Sequence, residues 1–147
     1  TYTIDGWISQ CQKLLNELIN DDDSGPFRQP VDLLEYADYA EIVDTPIDLG
    51  TINEKLRNGM YETLAEFDDD CRLLFRNSRL YNTNKKSSIY SITLRLKNFY
   101  ESKIETIFQS HKAAVKQKII MTSRYGRKIK SRSENNFMEL ALNSSSE

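Results

Sequence analysis

Tyr81-Asn82 stands where a long helical run gives way to a polar loop, and a side-chain amide offers a hydrogen-bond donor and an acceptor at once. The segment from Asp21 to Pro46 supplies the opposite chemistry. Phe27, Val31, Leu33, Leu34, Tyr36, Tyr39, Ile42 and Val43 crowd large apolar and aromatic groups into a stretch with no clear period. An amide set among such groups suits a ligand that is itself a neutral amide. Catalysis and metal binding have less to work with. The chain holds a single histidine, His111, and two cysteines, Cys11 and Cys71, sixty positions apart, which make neither a metal pattern nor a disulfide framework. Each cysteine lies on an apolar helical stripe and reads as an inert core position. Carboxylates alone could still do acid-base work, but no nucleophile and base pair accompanies them. We therefore expect no catalytic residue, no metal and no cofactor, and look to binding.

Composition agrees with one compact unit. A length of 147 residues is about one domain, and 39% hydrophobic with 29% charged residues is enough apolar material for one core. The apolar runs fall well short of the roughly 20 residues a membrane span needs. Thr1-Tyr2-Thr3-Ile4-Asp5 has neither the basic nor the apolar stretch of a secretory signal, so a reduced, intracellular protein is expected. Charge is divided unevenly. Residues 1–110 carry 12 Lys and Arg against 19 Asp and Glu, a net of −7, whereas residues 111–147 carry 8 against 3, a net of +5. An acidic body favours encounter with cationic partners such as basic peptides. The run Lys128-Ile129-Lys130-Ser131-Arg132, with Arg124 and Arg127 before it, either touches nucleic-acid phosphate non-specifically or is simply a solvated basic end.

The elements that must position these groups are helical. Ile4, Trp7, Ile8, Cys11, Leu14, Leu15, Leu18 and Ile19 recur at steps of three and four, which predicts a first helix ending near Asn20. Asp21-Asp22-Asp23-Ser24-Gly25-Pro26 breaks it. The long segment that follows is too apolar for disorder and is expected to be an ordered loop, with a short helical turn around Asp38 to Val43. Asp48 is placed to cap a second helix carrying Leu49, Ile52 and Leu56, with Gly59 just past its end. Thr63-Leu64-Ala65-Glu66 forms a capping box for a third helix through Phe67, Cys71, Leu74, Phe75 and Ser78 to Tyr81. After the polar loop Asn82 to Ser87, Ser87 or Ser88 starts a fourth helix with Ile89, Ile92, Leu96, Phe99 and Ile107 on its apolar face. Four such helices with three connections make an antiparallel bundle. The first and third connections then share one end, which brings the aromatic loop to Asn82. Beyond about Lys118 the pattern fades, and residues 119–147 are expected to be a basic C-terminal extension or linker. Phe137-Met138-Glu139-Leu140-Ala141-Leu142 within it is either a docking helical turn or a peptide motif for a partner.

Several of these residues also occur in a known order. Pro26-Phe27, Val31, Asp38-Tyr39, Thr45-Pro46-Ile47-Asp48-Leu49-Gly50-Thr51-Ile52, Asn77 and Tyr81-Asn82 resemble the bromodomain, over roughly Ile4 to Ser110. The run Pro26 to Tyr36 looks most like the second bromodomain of the WD-repeat-and-bromodomain proteins. The resemblance implies an all-α, left-handed antiparallel four-helix bundle over residues 1–118 that reads acetylated lysine on histone tails, hence a nuclear, monomeric chromatin protein with no membrane association. It places Asn82 at the acetyl-lysine asparagine and Tyr39 where a tyrosine holds a water on the same carbonyl. Pro26, Phe27, Val31 and Tyr81 fall on pocket-wall positions, Ile89 at the gatekeeper, and Leu33 and Leu34 in the leucine region of the loop. Two positions depart from the family's pattern. Gly25 stands where a tryptophan often precedes Pro-Phe, and Ala37 where a proline often precedes Asp-Tyr.

From the residues alone, each has a second reading. Asn82 can cap a helix end, Tyr39 can be a core tyrosine with a satisfied hydroxyl, and Phe27, Val31 and Ile89 can be core on one side and wall on the other. The alternative function is a protein or DNA interaction module in which the pocket is vestigial.

Overall fold

A computed structural model describes the backbone of residues 4–134 and the side chains of residues 4–127. The apolar cluster Phe137 to Leu142 and the side chains of Lys128 to Arg132 lie outside that range. Among the described residues there are six helices and no strand: α1 (Gly6–Ile19), α2 (Gly25–Arg28), α3 (Tyr39–Ile42), α4 (Leu49–Arg57), α5 (Leu64–Tyr81) and α6 (Ser88–Glu134). Residues 5–109 form one compact unit, and residues from Ser110 onward belong to a second. In the first unit α1, α4, α5 and the opening turns of α6 make a left-handed antiparallel four-helix bundle, with α2 and α3 inside the first connection.

The expected caps are present. Asp48 accepts from the Thr51 amide at 3.0 Å and from its hydroxyl at 2.7 Å, and Thr63 and Glu66 exchange hydrogen bonds as a full capping box. Gly59, past the end of α4, takes φ +68°, a conformation that costs any residue with a Cβ about 1–2 kcal/mol. The core gathers Trp7, Cys11, Leu14, Leu15 and Leu18 from α1 with Ile52 and Leu56 from α4, and Phe67, Cys71, Leu74 and Phe75 from α5 with Leu96, Tyr100 and Ile104 from α6. Ile8, expected on the same stripe of α1, is instead exposed. Burial in this core pushes the Cys11 thiol up to about 12 and that of Cys71 upward as well, so neither is a reactive thiolate at neutral pH.

The connection between α1 and α4 is more structured than its sequence suggests. Pro26, read as a breaker, occupies the first turn of α2, where a missing N–H costs nothing because no partner would be in reach. Arg28 then folds back onto the end of α1, its guanidinium donating to the carbonyls of Ile19 at 2.8 Å and Asp21 at 2.7 Å. A cation at a helix C-terminus satisfies carbonyls that have no helical donor. Asp21 and Asp23 in turn hold Arg95 of α6 at 2.8 Å each. Gly50 lies where α4 crosses the end of α2: a Cβ there would stand 2.8 Å from the Arg28 carbonyl oxygen, so the crossing admits only glycine without a backbone shift.

The stretch beyond Lys118, expected as extension or linker, continues as helix to Glu134. Its residues 119–134 include no proline, and Met121, Arg124, Arg127, Lys128, Lys130, Arg132 and Glu134 are good helix formers. Ile119, Met121 and Tyr125 are exposed, and a helix with little to bury needs no apolar period. That is why the stripe fades where the helix does not.

Candidate functional site

A cavity of about 490 Å³ opens at the end of the bundle where the first and third connections meet. Its walls come from five places. Pro26, Phe27 and Val31 come from α2 and the chain after it, Tyr36 and Tyr39 from the approach to α3, Ile47 from the entry to α4, and Leu74, Ser78, Tyr81 and Asn82 from the last turns of α5 with Ile89 opening α6. Seven of the nine residues singled out from sequence are therefore together: Asn82, Tyr39, Tyr81, Phe27, Val31, Ile89 and Pro26. Leu33 and Leu34 are not. They are 52% and 96% exposed and line no part of the cavity, because Asp32 closes a turn there, accepting the Leu34 amide on its carboxylate and the Tyr36 amide on its carbonyl. That turn faces the two leucines to solvent. Gly25, in the place of the family's tryptophan, lies on the cavity wall, and a Cβ on it would meet nothing within 4 Å.

Asn82 is the C-cap residue of α5 and is held twice by the same group. Its backbone N–H donates to the Ser78 carbonyl at 2.8 Å, and its side-chain NH₂ donates to that carbonyl at 3.0 Å. A carbonyl only accepts, so the amide must turn its nitrogen toward Ser78. The same NH₂ also donates to the Ser78 hydroxyl oxygen at 3.4 Å, and the amide forms part of the cavity wall. Below it runs a short relay. The Thr93 hydroxyl donates to the Ile89 carbonyl at 2.7 Å, so the 2.7 Å bond between Thr93 and Ser78 must use the Ser78 hydrogen. Ser78 and Thr93 are both buried, and this chain of hydroxyls ties the end of α5 to the start of α6 directly behind Asn82.

Tyr39 and Tyr81 are neutral donors at physiological pH. Burial raises the Tyr39 hydroxyl above its ordinary value, and among the described residues no protein group accepts from it or donates to it. The Asp38 carboxylate accepts from Tyr81 at 2.7 Å and holds its proton, raising that hydroxyl to about 12. The Tyr81 ring meets Tyr39 edge to face at 4.9 Å and Tyr36 at 6.2 Å, a geometry that fixes aromatic rings beyond their area of contact. Asn77, buried in α5, donates to the Thr45 carbonyl at 2.7 Å and so pins the Thr45-Pro46-Ile47 segment against the helix. Around the mouth Asp32 and Glu35 are the ionisable side chains, and no cation lines the cavity. The cavity is lined mainly by apolar and aromatic side chains, with the amides of Asn82 and Gln29 in its wall and the negative charge of Asp32 and Glu35 at its rim. Among the described residues no group of three or more His, Cys, Asp or Glu is arranged to hold a metal, and no helix is long and apolar enough to cross a membrane.

Sequence reading missed Ser78, Thr93, Ile47 and Leu74. The signal for the first two was available. Ser78 and Thr93 are hydroxyls set on otherwise apolar helical stripes, and such groups must find partners when buried.

Comparison with known proteins gives consistent results. The bromodomain family model matches residues 11–95. Transcription factor GTE11 of Arabidopsis thaliana is 37% identical over 102 residues, which is 68% of this chain but only 16% of that protein's length. The solved bromodomain of human BAZ1A superposes with a TM-score of 0.65 at 33% identity, covering 68% of this chain and 92% of its own. The second bromodomain of Candida albicans Bdf1, solved with a bound imidazopyridine, gives 0.63 at 34% identity, covering 67% and 96%. The finer likeness to WD-repeat-and-bromodomain proteins finds no support among these relatives.

Proposed function

The chain belongs to the bromodomain family, and from that premise we propose that its cavity binds acetylated lysine on histone tails, as a reader module of a nuclear chromatin protein. The observation that carries this reading is the Asn82 amide, held by Ser78 at the wall of a cavity lined mainly by apolar and aromatic side chains. Acetylation turns a strongly hydrated ammonium into a neutral amide with a carbonyl and a methyl group. In the proposed complex the acetamide carbonyl accepts from Asn82 directly and from Tyr39 through a water, each bond contributing roughly 0.5–1.5 kcal/mol net. The methyl and stem then meet Phe27, Val31, Tyr81, Ile89 and Pro26. An unmodified lysine would bury its ammonium against a donor, at a cost of several kcal/mol.

One narrow slot gives modest affinity, micromolar or weaker, about −8 kcal/mol at best. The carboxylates of Asp32 and Glu35 at the rim favour basic residues flanking the acetylated one. In this reading residues 1–118 are a monomeric reading module and residues 119–147 a basic extension with non-specific affinity for DNA, and no catalytic step is involved.

Asn82→Ala tests the assignment. The variant is expected to lose acetyl-peptide binding in calorimetric titration while its melting temperature stays within a few degrees of the unaltered chain, since the Ser78 carbonyl keeps its backbone donor. Unchanged affinity in a folded variant would overturn the role given to Asn82.

A further inference from the structure

A second cavity, of about 530 Å³, lies between α5 and α6 and has the opposite character. Arg72, Arg76 and Arg79 line it from α5, Lys85 from the following loop and Lys97 from α6, against one carboxylate, Glu101. This cationic groove sits in a compact unit, residues 5–109, whose net charge is −7. Glu101 is taken up locally: it accepts from Lys97 at 3.1 Å and from Arg72 at 3.5 Å, and Arg72 also pairs with Asp68 at 3.0 Å. Arg76, Arg79 and Lys85 are exposed and make no salt bridge among the described residues. Three free cations therefore face one concavity whose own carboxylate is already shared.

The arginines recur at i, i+4 and i+7, so they form a row along one side of a rigid helix, about 10 Å long at 1.5 Å per residue. Guanidinium groups bind phosphate through paired N–H donors and lose little hydration in doing so. A fixed row of them meets best a ligand whose anions are also regularly and rigidly spaced. We propose that the α5 and α6 groove is a binding site for the phosphate backbone of duplex DNA, centred on Arg76, Arg79 and Lys85. The site is separate from the acetyl-lysine cavity, although the two share the turn between the helices. Asn82 and Ile89 face the cavity, whereas Thr83 and Tyr90, their next neighbours in sequence, line the groove. The proposal does not depend on the acetyl-lysine reading, and either can fail alone. Recognition is independent of sequence and sensitive to salt. Three phosphate contacts give a slope of about −2.7 in log affinity against log salt, which is about 40-fold between 50 and 200 mM.

The test uses the full chain, so that any contribution of the basic extension is the same in every sample. Anisotropy of a labelled DNA duplex of about 20 base pairs is followed from 50 to 200 mM salt for the unaltered chain and for Arg76→Ala, Arg79→Ala, Lys85→Ala combined. The triple variant is expected to lose at least tenfold in affinity at 50 mM and to show a slope shallower by about three, with acetyl-peptide affinity unchanged. Should it melt early, Lys85→Ala alone, on the loop, is expected to make the slope shallower by about one. Three results would overturn the proposal: a duplex that the unaltered chain does not bind, variants that bind duplex as well as the unaltered chain does, or a polyglutamate peptide that displaces the duplex at equal charge.

Discussion

The amide of Asn82 serves a ligand only while its orientation is held, and that orientation depends on residues that touch no ligand. Ser78 fixes the nitrogen with its carbonyl, and Thr93 receives the Ser78 hydroxyl and passes its own hydrogen to Ile89. Thr93→Val keeps the shape and removes the link. It leaves a buried serine hydroxyl without its acceptor, a cost of about 1–3 kcal/mol, and loosens the join between α5 and α6 behind the cavity. We expect a lower melting temperature together with acetyl-peptide affinity reduced several-fold, where a purely structural role would lower the melting temperature alone. The two measurements on one sample separate these outcomes. Asn82, Tyr39 and Phe27 were singled out through the ordered resemblance to the bromodomain, since an amide and aromatic rings by themselves read equally as a helix cap and core residues. Thr93 was missed, because a threonine between Ile89 and Leu96 on an apolar stripe calls for a buried partner without saying which residue of another helix supplies it.

Helices with caps and regular stripes were legible to within a few residues. Asp48 and Thr63 mark the starts of α4 and α5, and the structure places the starts there. What escaped was α2, a single turn whose only sequence signs, Gly25 and Pro26, are also the signs of a break. Its last residue, Arg28, reaches back seven and nine positions to the carbonyls of Asp21 and Ile19, a span that no helical period announces. The end of α6 escaped for the converse reason, since a helix with exposed Ile119 and Met121 has no stripe to follow. The turn α2 also sets a prediction. Gly25 begins it on the cavity wall, its φ is not positive and a Cβ there meets open space, so a larger side chain fits the backbone. An indole covering ~60 Å² of peptide at about 25 cal/mol per Å² contributes roughly 1.5 kcal/mol. Gly25→Trp is expected to tighten acetyl-peptide binding several-fold, up to about tenfold. No gain by calorimetry would show that the open shelf does not limit this cavity.

Across the molecule the same loop that builds the cavity is tied to the last helix of the bundle by charge. Arg95 of α6 donates to Asp21 and lowers that carboxyl to about 2 from its ordinary 3.8. A depressed carboxyl stabilises the fold above its unfolded pKa, and that contribution is lost as pH falls through the folded one. Between the unaltered chain and Arg95→Ala we therefore expect a difference in melting temperature that is constant above about pH 5. It should shrink between pH 4 and 2 and close below that. A difference undiminished at pH 2 would place the effect of Arg95 outside this pair. The acidic body and its charged rim also bear on what the cavity admits, because negative charge attracts lysine whether or not it is acetylated. Discrimination must then come from the slot itself, from desolvation and from the amide of Asn82. The most direct measurement is a calorimetric titration of the chain with a histone-tail peptide carrying a single acetyl-lysine beside the same peptide unmodified. Saturable micromolar binding of the first and at least tenfold weaker binding of the second is the expected result; equal affinity for the two would contradict the account.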